Sequence, residues 1–214
     1  DLMEIFKITA KTSGYLGGLF YIPYIAMQMP VGALVDRFGA KILLTLGAAS
    51  CALSAYLFAV AETLELLFLS RFLLGLFAAA GFVSALKLAT LWFPPSLLGL
   101  IIGTTQALGM LGASSGGPLS DLNEVWGYDK IFYGLGSFFI VLSLMAWLFV
   151  KKSPSELSQQ GKTSKEPIGP VLLKVLKDRY TWINALYAGL VYAPVQVLGE
   201  YWGVVFVTQV YGLT

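Results

Sequence analysis

Two of the few side chains here that could do chemistry are charges placed where charge is expensive. Arg71 stands inside the apolar stretch Leu66–Phe93, about 9 Å beyond Glu65 at the rise of an α-helix. A guanidinium at that depth in lipid is costly unless it snorkels or faces a polar cavity. It either lines such a cavity or is tied structurally to backbone carbonyls or to acids such as Glu65. Glu200 is the one carboxylate well inside apolar surroundings, and it closes a polar stripe of Tyr192, Gln196 and Glu200 at every fourth position. A buried carboxyl can carry a proton; beside Tyr201 and Trp202 it can equally be a residue of the membrane interface. Lys87 lies about 160° round the helix from Arg71 and is read as snorkelling to headgroups. Gln106 and Gln28 are polar groups on otherwise apolar segments and are candidates for lining a cavity.

Other chemistries are excluded by composition. The chain has no histidine, which removes histidine bases, triads and metal sites. Its one cysteine, Cys51, cannot form an internal disulfide. No Gly-x-x-x-x-Gly-Lys-Ser/Thr motif occurs to cradle a nucleotide phosphate. No catalytic residue, metal or cofactor is assigned, and the chain is not read as an enzyme. The net charge of +2 is too small to suggest nucleic acid. Hydrophobic residues make up 57% and charged residues 12%, against roughly 25% charged in an ordinary soluble domain.

Those figures point to a membrane, and the charge-free runs count the crossings. Thr12–Val35, Ile42–Ala61, Leu88–Ser120 and Ile131–Val150 carry no charge, and Leu66–Phe93 only Arg71 and Lys87. A last apolar run begins at Tyr180 and continues past Glu200. Each meets the roughly 20-residue requirement for a spanning helix. The expectation is an all-α integral membrane bundle with six spans near 12–35, 42–61, 66–90, 97–119, 131–150 and 181–207.

The basic residues orient it. Arg37, Lys41, Lys87 and the cluster from Lys151 to Arg179 fall on one side, expected to be cytoplasmic; Glu62, Glu65, Asp121, Glu124 and Asp129 fall on the other, with Lys130 an exception. Lys7, Lys11 and both chain ends then lie outside. The chain starts at Asp1 with neither initiator Met nor signal peptide, so an excerpt of a longer protein is expected. Residues 151–179 read as a cytoplasmic linker, polar from Ser153 to Pro170. There Ile168, Val171, Leu172, Val175 and Leu176 recur at helical spacing apart from Lys174, Lys177 and Arg179. That pattern predicts an amphipathic helix on the inner membrane surface, opened by Pro170. It separates a five-span domain, 1–150, from a single span in 180–214.

One motif narrows the reading further. GALVDRFGAK, Gly32 to Lys41, places an Asp-Arg pair, a glycine and a lysine in a tight turn where the first apolar run ends. It resembles the signature between the second and third helices of the major facilitator superfamily. FLSRFLLGLFAAA, with Arg71 and Gly75, resembles the family's fourth-helix motif, and WFPPS the loop that follows it. GTTQALGMLGASSGGPLS resembles the Gly-rich fifth helix, and WGYDKIFYGLG the start of the sixth. Order and spacing agree across nearly the whole chain, which would hold helices two to seven of twelve and lack the first and the last five.

The resemblance implies a conformational clasp at Gly32, Asp36, Arg37, Gly39 and Lys41. Gly32 would allow close helix approach, Asp36 would face a helix N-terminus of the other half, Arg37 and Lys41 would join the charge network, and Gly39 would make the turn. It implies that Arg71 points inward, towards an anionic substrate group or a proton-linked carboxylate. Gly75, Gly112, Gly116, Gly117 and Pro118 would serve helix packing and bending. The second glycine pair of the family's drug–proton exporters is absent after Pro118.

The function expected is a secondary active or facilitative transporter, such as a symporter, moving a small organic solute by alternating access, with Arg71 favouring one that carries an anionic group. Its partners would be the solute, the lipid bilayer and the remaining helices of the same protein. It is expected to act as a monomer in a bacterial cytoplasmic membrane. Two other readings remain open. One is a multidrug/proton antiporter of the same fold; the other is a non-transporting scaffold or receptor, in which Arg71 is satisfied locally.

Overall fold

The computed structural model describes residues 6, 8–115, 122, 125–151, 168–197 and 203–212. The chain forms two units, Asp1–Lys165 and Glu166–Thr214, so the division falls within the expected linker. Among the described residues all regular structure is helical. The first unit holds α1 (Ala10–Gly18), α2 (Tyr21–Phe38), α3 (Ala40–Ala59), α4 (Leu64–Trp92), α5 (Pro95–Ser114) and α6 (Tyr128–Phe149). The second holds α7 (Ile168–Lys177), α8 (Arg179–Gln196) and α9 (Gly203–Tyr211).

Among the described residues five helices are long and apolar enough to cross a membrane: Lys11–Phe38, Ala40–Ala59, Leu64–Trp92, Pro95–Ser114 and Tyr128–Phe149. The first is interrupted by a turn at Leu19–Phe20 between α1 and α2. The cause is Pro23, whose ring nitrogen cannot donate to the Leu19 carbonyl; helical bonds resume on either side, from Leu19 N–H to the Tyr15 carbonyl at 2.9 Å and from Tyr24 N–H to the Phe20 carbonyl at 3.3 Å. Of the sixth expected span, 181–207, the described residues form α8 and α9. Pro194 lies inside α8, which continues through it to Gln196. Residues 198–202, between the two helices, lie outside the described residues.

Each junction has a local reason. Gly39 closes α2 and opens α3 without an intervening loop, and its φ of 88° is a conformation that glycine adopts without strain. Thr63 caps α4 by accepting a hydrogen bond from Leu66 N–H at 3.4 Å. Pro95 takes the first position of α5, where its missing donor costs nothing.

Helix α3 is the centre of the first unit, packing broadly on α4 and α6, while α2 lies along α4. Two cores result. Val31, Val35, Ala40, Ala79 and Ala80 pack where the α2–α3 turn meets α4. Leu16, Phe58, Ala61 and Leu67 pack towards the other end, with Tyr128 and Phe132 beside them. The Tyr128 hydroxyl donates to the Ala61 carbonyl at 3.3 Å, setting the start of α6 against the end of α3. Further along, the Ser143 hydroxyl donates to the Thr45 carbonyl at 2.9 Å. No residue of α5 is buried.

Small residues make these approaches possible. A Cβ on Gly75 would collide with the Phe20 carbonyl oxygen and stand 2.9 Å from Pro23 Cγ. The kink in α2 thus presses its backbone directly onto α4. Gly136 holds the Tyr56 ring, whose atoms would lie 2.8 Å from an added Cβ, and Gly47 faces Ala80 at 3.0 Å. Gly75→Ala should lower the stability of the bundle by about 1–3 kcal/mol, the usual scale of overpacking. Gly81→Ala, where an added Cβ meets nothing within 4 Å, should be neutral or slightly stabilising. Thermal unfolding of the two variants in detergent checks the contrast; equal destabilisation would remove the close approach at Gly75.

Candidate functional site

Helices α3, α4 and α6 surround a cavity of about 50 Å³ whose lining includes Ser54, Phe58, Ser70, Arg71, Phe132 and Phe139. Each helix contributes through its own period. Ser54 and Phe58 lie one turn apart on α3, Ser70 and Arg71 are consecutive on α4, and Phe132 and Phe139 are two turns apart on α6. Both serine hydroxyls turn back to their own helices, Ser54 to the Ser50 carbonyl at 2.9 Å and Ser70 to the Leu67 carbonyl at 2.8 Å. They are therefore not directed at Arg71.

The Arg71 guanidinium carbon lies 4.9 Å from the centre of the Phe58 ring. Phe58 itself stacks on Phe132, with ring centres 4.0 Å apart. The Arg71 Nε is buried and has no hydrogen-bond partner. Among the described residues no carboxylate forms an ion pair with this guanidinium, so the local tie to Glu65 is not seen. A cation on an aromatic face gains up to about 2 kcal/mol when desolvated. An arginine at the centre of a membrane helix costs roughly 2.5–3.5 kcal/mol even on the milder insertion scale. The ring offsets part of such a cost, and among the described residues the guanidinium has no carboxylate counter-charge.

A second charged cluster sits at the α2–α3 turn. Lys87 Nζ donates to Asp36 Oδ1 at 2.8 Å, joining the end of α2 to α4. Lys87, read from the sequence as snorkelling to headgroups, thus also has an acid from another helix within its reach. Both side chains keep solvent contact, at 38% and 66% exposure, so the pair is open to exchange with another partner. Arg37 lies over the Phe38 ring at 5.5 Å, and Lys41 over the Trp147 ring of α6 at 5.0 Å. In this structure these two cations rest on aromatic faces.

The remaining sequence candidates are dispersed. Gln106 is half-buried on α5 and Tyr192 is exposed on α8, and each has an interaction of its own. Gln196 is the last residue of α8, with its side chain outside the described part. Glu200, Gly116, Gly117 and Pro118 lie outside the described residues. A Cβ on Gly32 or Gly112 would meet nothing within 4 Å among the described residues, so neither marks a close approach here. The sequence reading missed the aromatic cup of Phe58, Phe132 and Phe139. Its signal was faint, because phenylalanine is common in every span and only the pairing of α3 with α6 distinguishes these three.

A family model described as Major Facilitator Superfamily matches residues 1–214. An uncharacterized transporter of Bacillus subtilis, YybO, is 30% identical over 85% of the chain and 45% of its own length. A probable sulfoacetate transporter of Cupriavidus necator, SauU, is 27% identical over 78% of the chain and 39% of its own length. A quinolone resistance transporter of Acinetobacter baumannii is 28% identical over 85% of the chain and 46% of its own length. The chain thus spans about half the length of these relatives, or somewhat less. All three bear the names of transporters rather than enzymes.

If Arg71 is a structural residue, removing its charge should destabilise the bundle. The geometry predicts the opposite. Arg71→Met, which keeps the length and drops the uncompensated charge, should leave the melting temperature unchanged or raise stability by roughly 1 kcal/mol. Detergent thermal unfolding checks this, and a clear loss of stability would return Arg71 to a structural role.

Proposed function

The chain belongs to the major facilitator superfamily, and on that premise we propose that the protein moves a small organic anion across the membrane by alternating access, with Arg71 supplying the attraction. The observation that carries this reading is the buried, unpartnered Nε of Arg71 beside a cavity that offers it no carboxylate among the described residues. Such a charge favours an anionic group from outside the protein. The printed name of the sulfoacetate relative agrees with an anionic solute.

The cavity of about 50 Å³ has room for a few waters at most, whereas organic ligands occupy pockets of roughly 300–1,000 Å³. The solute chamber therefore requires further helices or another conformational state, and Arg71 contributes charge to it rather than volume. Transport would be facilitated or driven by an ion gradient, with a monomer in a bacterial cytoplasmic membrane as the working unit. Gln106, Tyr192, Gln196 and Glu200 remain proposed contributors to binding or coupling.

Alternating access needs contacts that hold one state and release in the other. We assign that part to the turn containing Asp36. In the state seen here Asp36 is held by Lys87; in the clasped state its carboxylate would turn to a helix N-terminus of the opposite bundle, and Lys87 would be freed to solvent. Neither arrangement is worth more than about 1 kcal/mol at such exposure, which suits a contact that must be broken every cycle.

A second reading, drug–proton antiport, is favoured by the aromatic cup around Arg71 and by the printed name of the quinolone resistance relative. Uptake by the protein at its natural full length in proteoliposomes separates the two. Labelled organic acids and hydrophobic dyes are compared, with and without a pH gradient. The proposal expects saturable flux of an acid that falls at least tenfold in Arg71→Ala, the loss of one charge-assisted contact. Dye flux with unchanged acid flux would favour antiport instead. Asp36→Asn should slow cycling and alter cysteine labelling of the inner and outer faces, read in a Cys51→Ser background; an unchanged labelling pattern would count against the clasp.

A further inference from the structure

From helix α7 and its junction with α8, we infer a docking surface for anionic phospholipid headgroups. Along α7 the half-buried Leu172 and the exposed Val175 and Leu176 follow one arc of the helix, and Lys174 and Lys177 follow the opposite arc. Leu173 lies between them and is 52% exposed. Within its own unit, the packing of α7 is a limited contact with α8. Taken alone, an apolar arc says little about what covers it. The charges on the opposite arc and at the start of α8 specify the occupant.

Arg179 opens α8 with its guanidinium 4.9 Å from the Tyr180 ring centre, and its NH2 donates to the Tyr180 hydroxyl at 3.0 Å. The Trp182 Nε1 donates to the Leu176 carbonyl at 2.8 Å, which locks the corner between the two helices. Tyr180 and Trp182 remain more than half exposed, as aromatic residues at a headgroup boundary do. The single acid at the corner is already engaged. Asp178 accepts from Tyr180 N–H and from the Thr181 hydroxyl, both at 3.3 Å. It caps α8 and makes no ion pair with Lys174, Lys177 or Arg179 among the described residues.

Three exposed cations, an apolar arc and two interfacial rings on one rigid corner fit a surface whose outer layer is negative and whose interior is hydrocarbon. Each Lys or Arg near an anionic leaflet adds roughly a fivefold preference, and salt screens it. Neutral lipid would satisfy the apolar arc but leave the cations unused; a soluble anion would do the reverse. Binding of anionic lipid here would fix the corner that precedes the last helices of the chain. This inference does not depend on which solute is moved.

The test is hydrogen exchange of 168–182 in the full-length protein held in nanodiscs, of phosphatidylcholine alone or of an equal mixture with phosphatidylglycerol. Exchange should slow by roughly tenfold or more in the anionic discs. That protection should fall with added salt and disappear in the Lys174→Gln, Lys177→Gln, Arg179→Gln triple variant. Peptides from α3 report whether the variant remains folded, and the salt series on the unaltered protein stands if it does not. Equal protection in both lipids, or protection indifferent to salt, would overturn the proposal.

Discussion

A membrane bundle gains little by hiding apolar side chains from lipid that is itself apolar, so it must gain by close packing. In this protein that constraint is met most fully where Gly75 admits the Phe20 carbonyl and Pro23 of the kinked first span. The kink and the glycine are complementary. The Phe20 carbonyl and the Pro23 ring lie against α4 at Gly75, the position that leaves room for them. The same logic repeats where Gly47 meets Ala80 and where Gly136 seats the Tyr56 ring. These contacts set α3 between α4 and α6, and that placement brings Phe58, Arg71 and Phe132 to one cavity.

The placement of Arg71 opposes the stability that the packing supplies. Its charge rests against one aromatic face, with its Nε unsatisfied, where a neutral side chain of similar length would fill the space. Membrane proteins keep such groups where they do work. The salt-bridged turn at the other end has the contrary character, being exposed, weak and replaceable. On the proposed reading, one end of the bundle would hold a fixed charge for a ligand and the other a weak, exchangeable pair for movement. That division is what a machine alternating between two states requires.

Much of the architecture was legible in the chain. Charge-free runs bounded five spans to within a few residues, because a charge in lipid is costly enough to mark most ends; the α4–α5 break, inside a charge-free run, is marked by Pro94 and Pro95 instead. The GALVDRFGAK run located the α2–α3 turn, since few residues other than glycine take the backbone angle found at Gly39. Contacts between helices were less legible. The pairing of Lys87 with Asp36 depends on how α2 lies along α4, and the angle between Lys87 and Arg71 on a single helix could not reveal it. The aromatic cup depends likewise on α3 facing α6. In the last span, α8 runs through Pro194 to Gln196, and residues 198–202 beyond it lie outside the described residues.

The central claim is that Arg71 offers its charge to an anionic solute, and competition binding tests it most directly. Once a transported acid is identified, the affinity of the full-length protein for that acid and for its neutral amide is measured, unaltered and as Arg71→Gln. The account predicts that the unaltered protein prefers the carboxylate at least tenfold and that the variant loses most of this preference, as expected for one charge-assisted contact. A preference that survives the substitution intact would contradict it and place the anion's partner elsewhere.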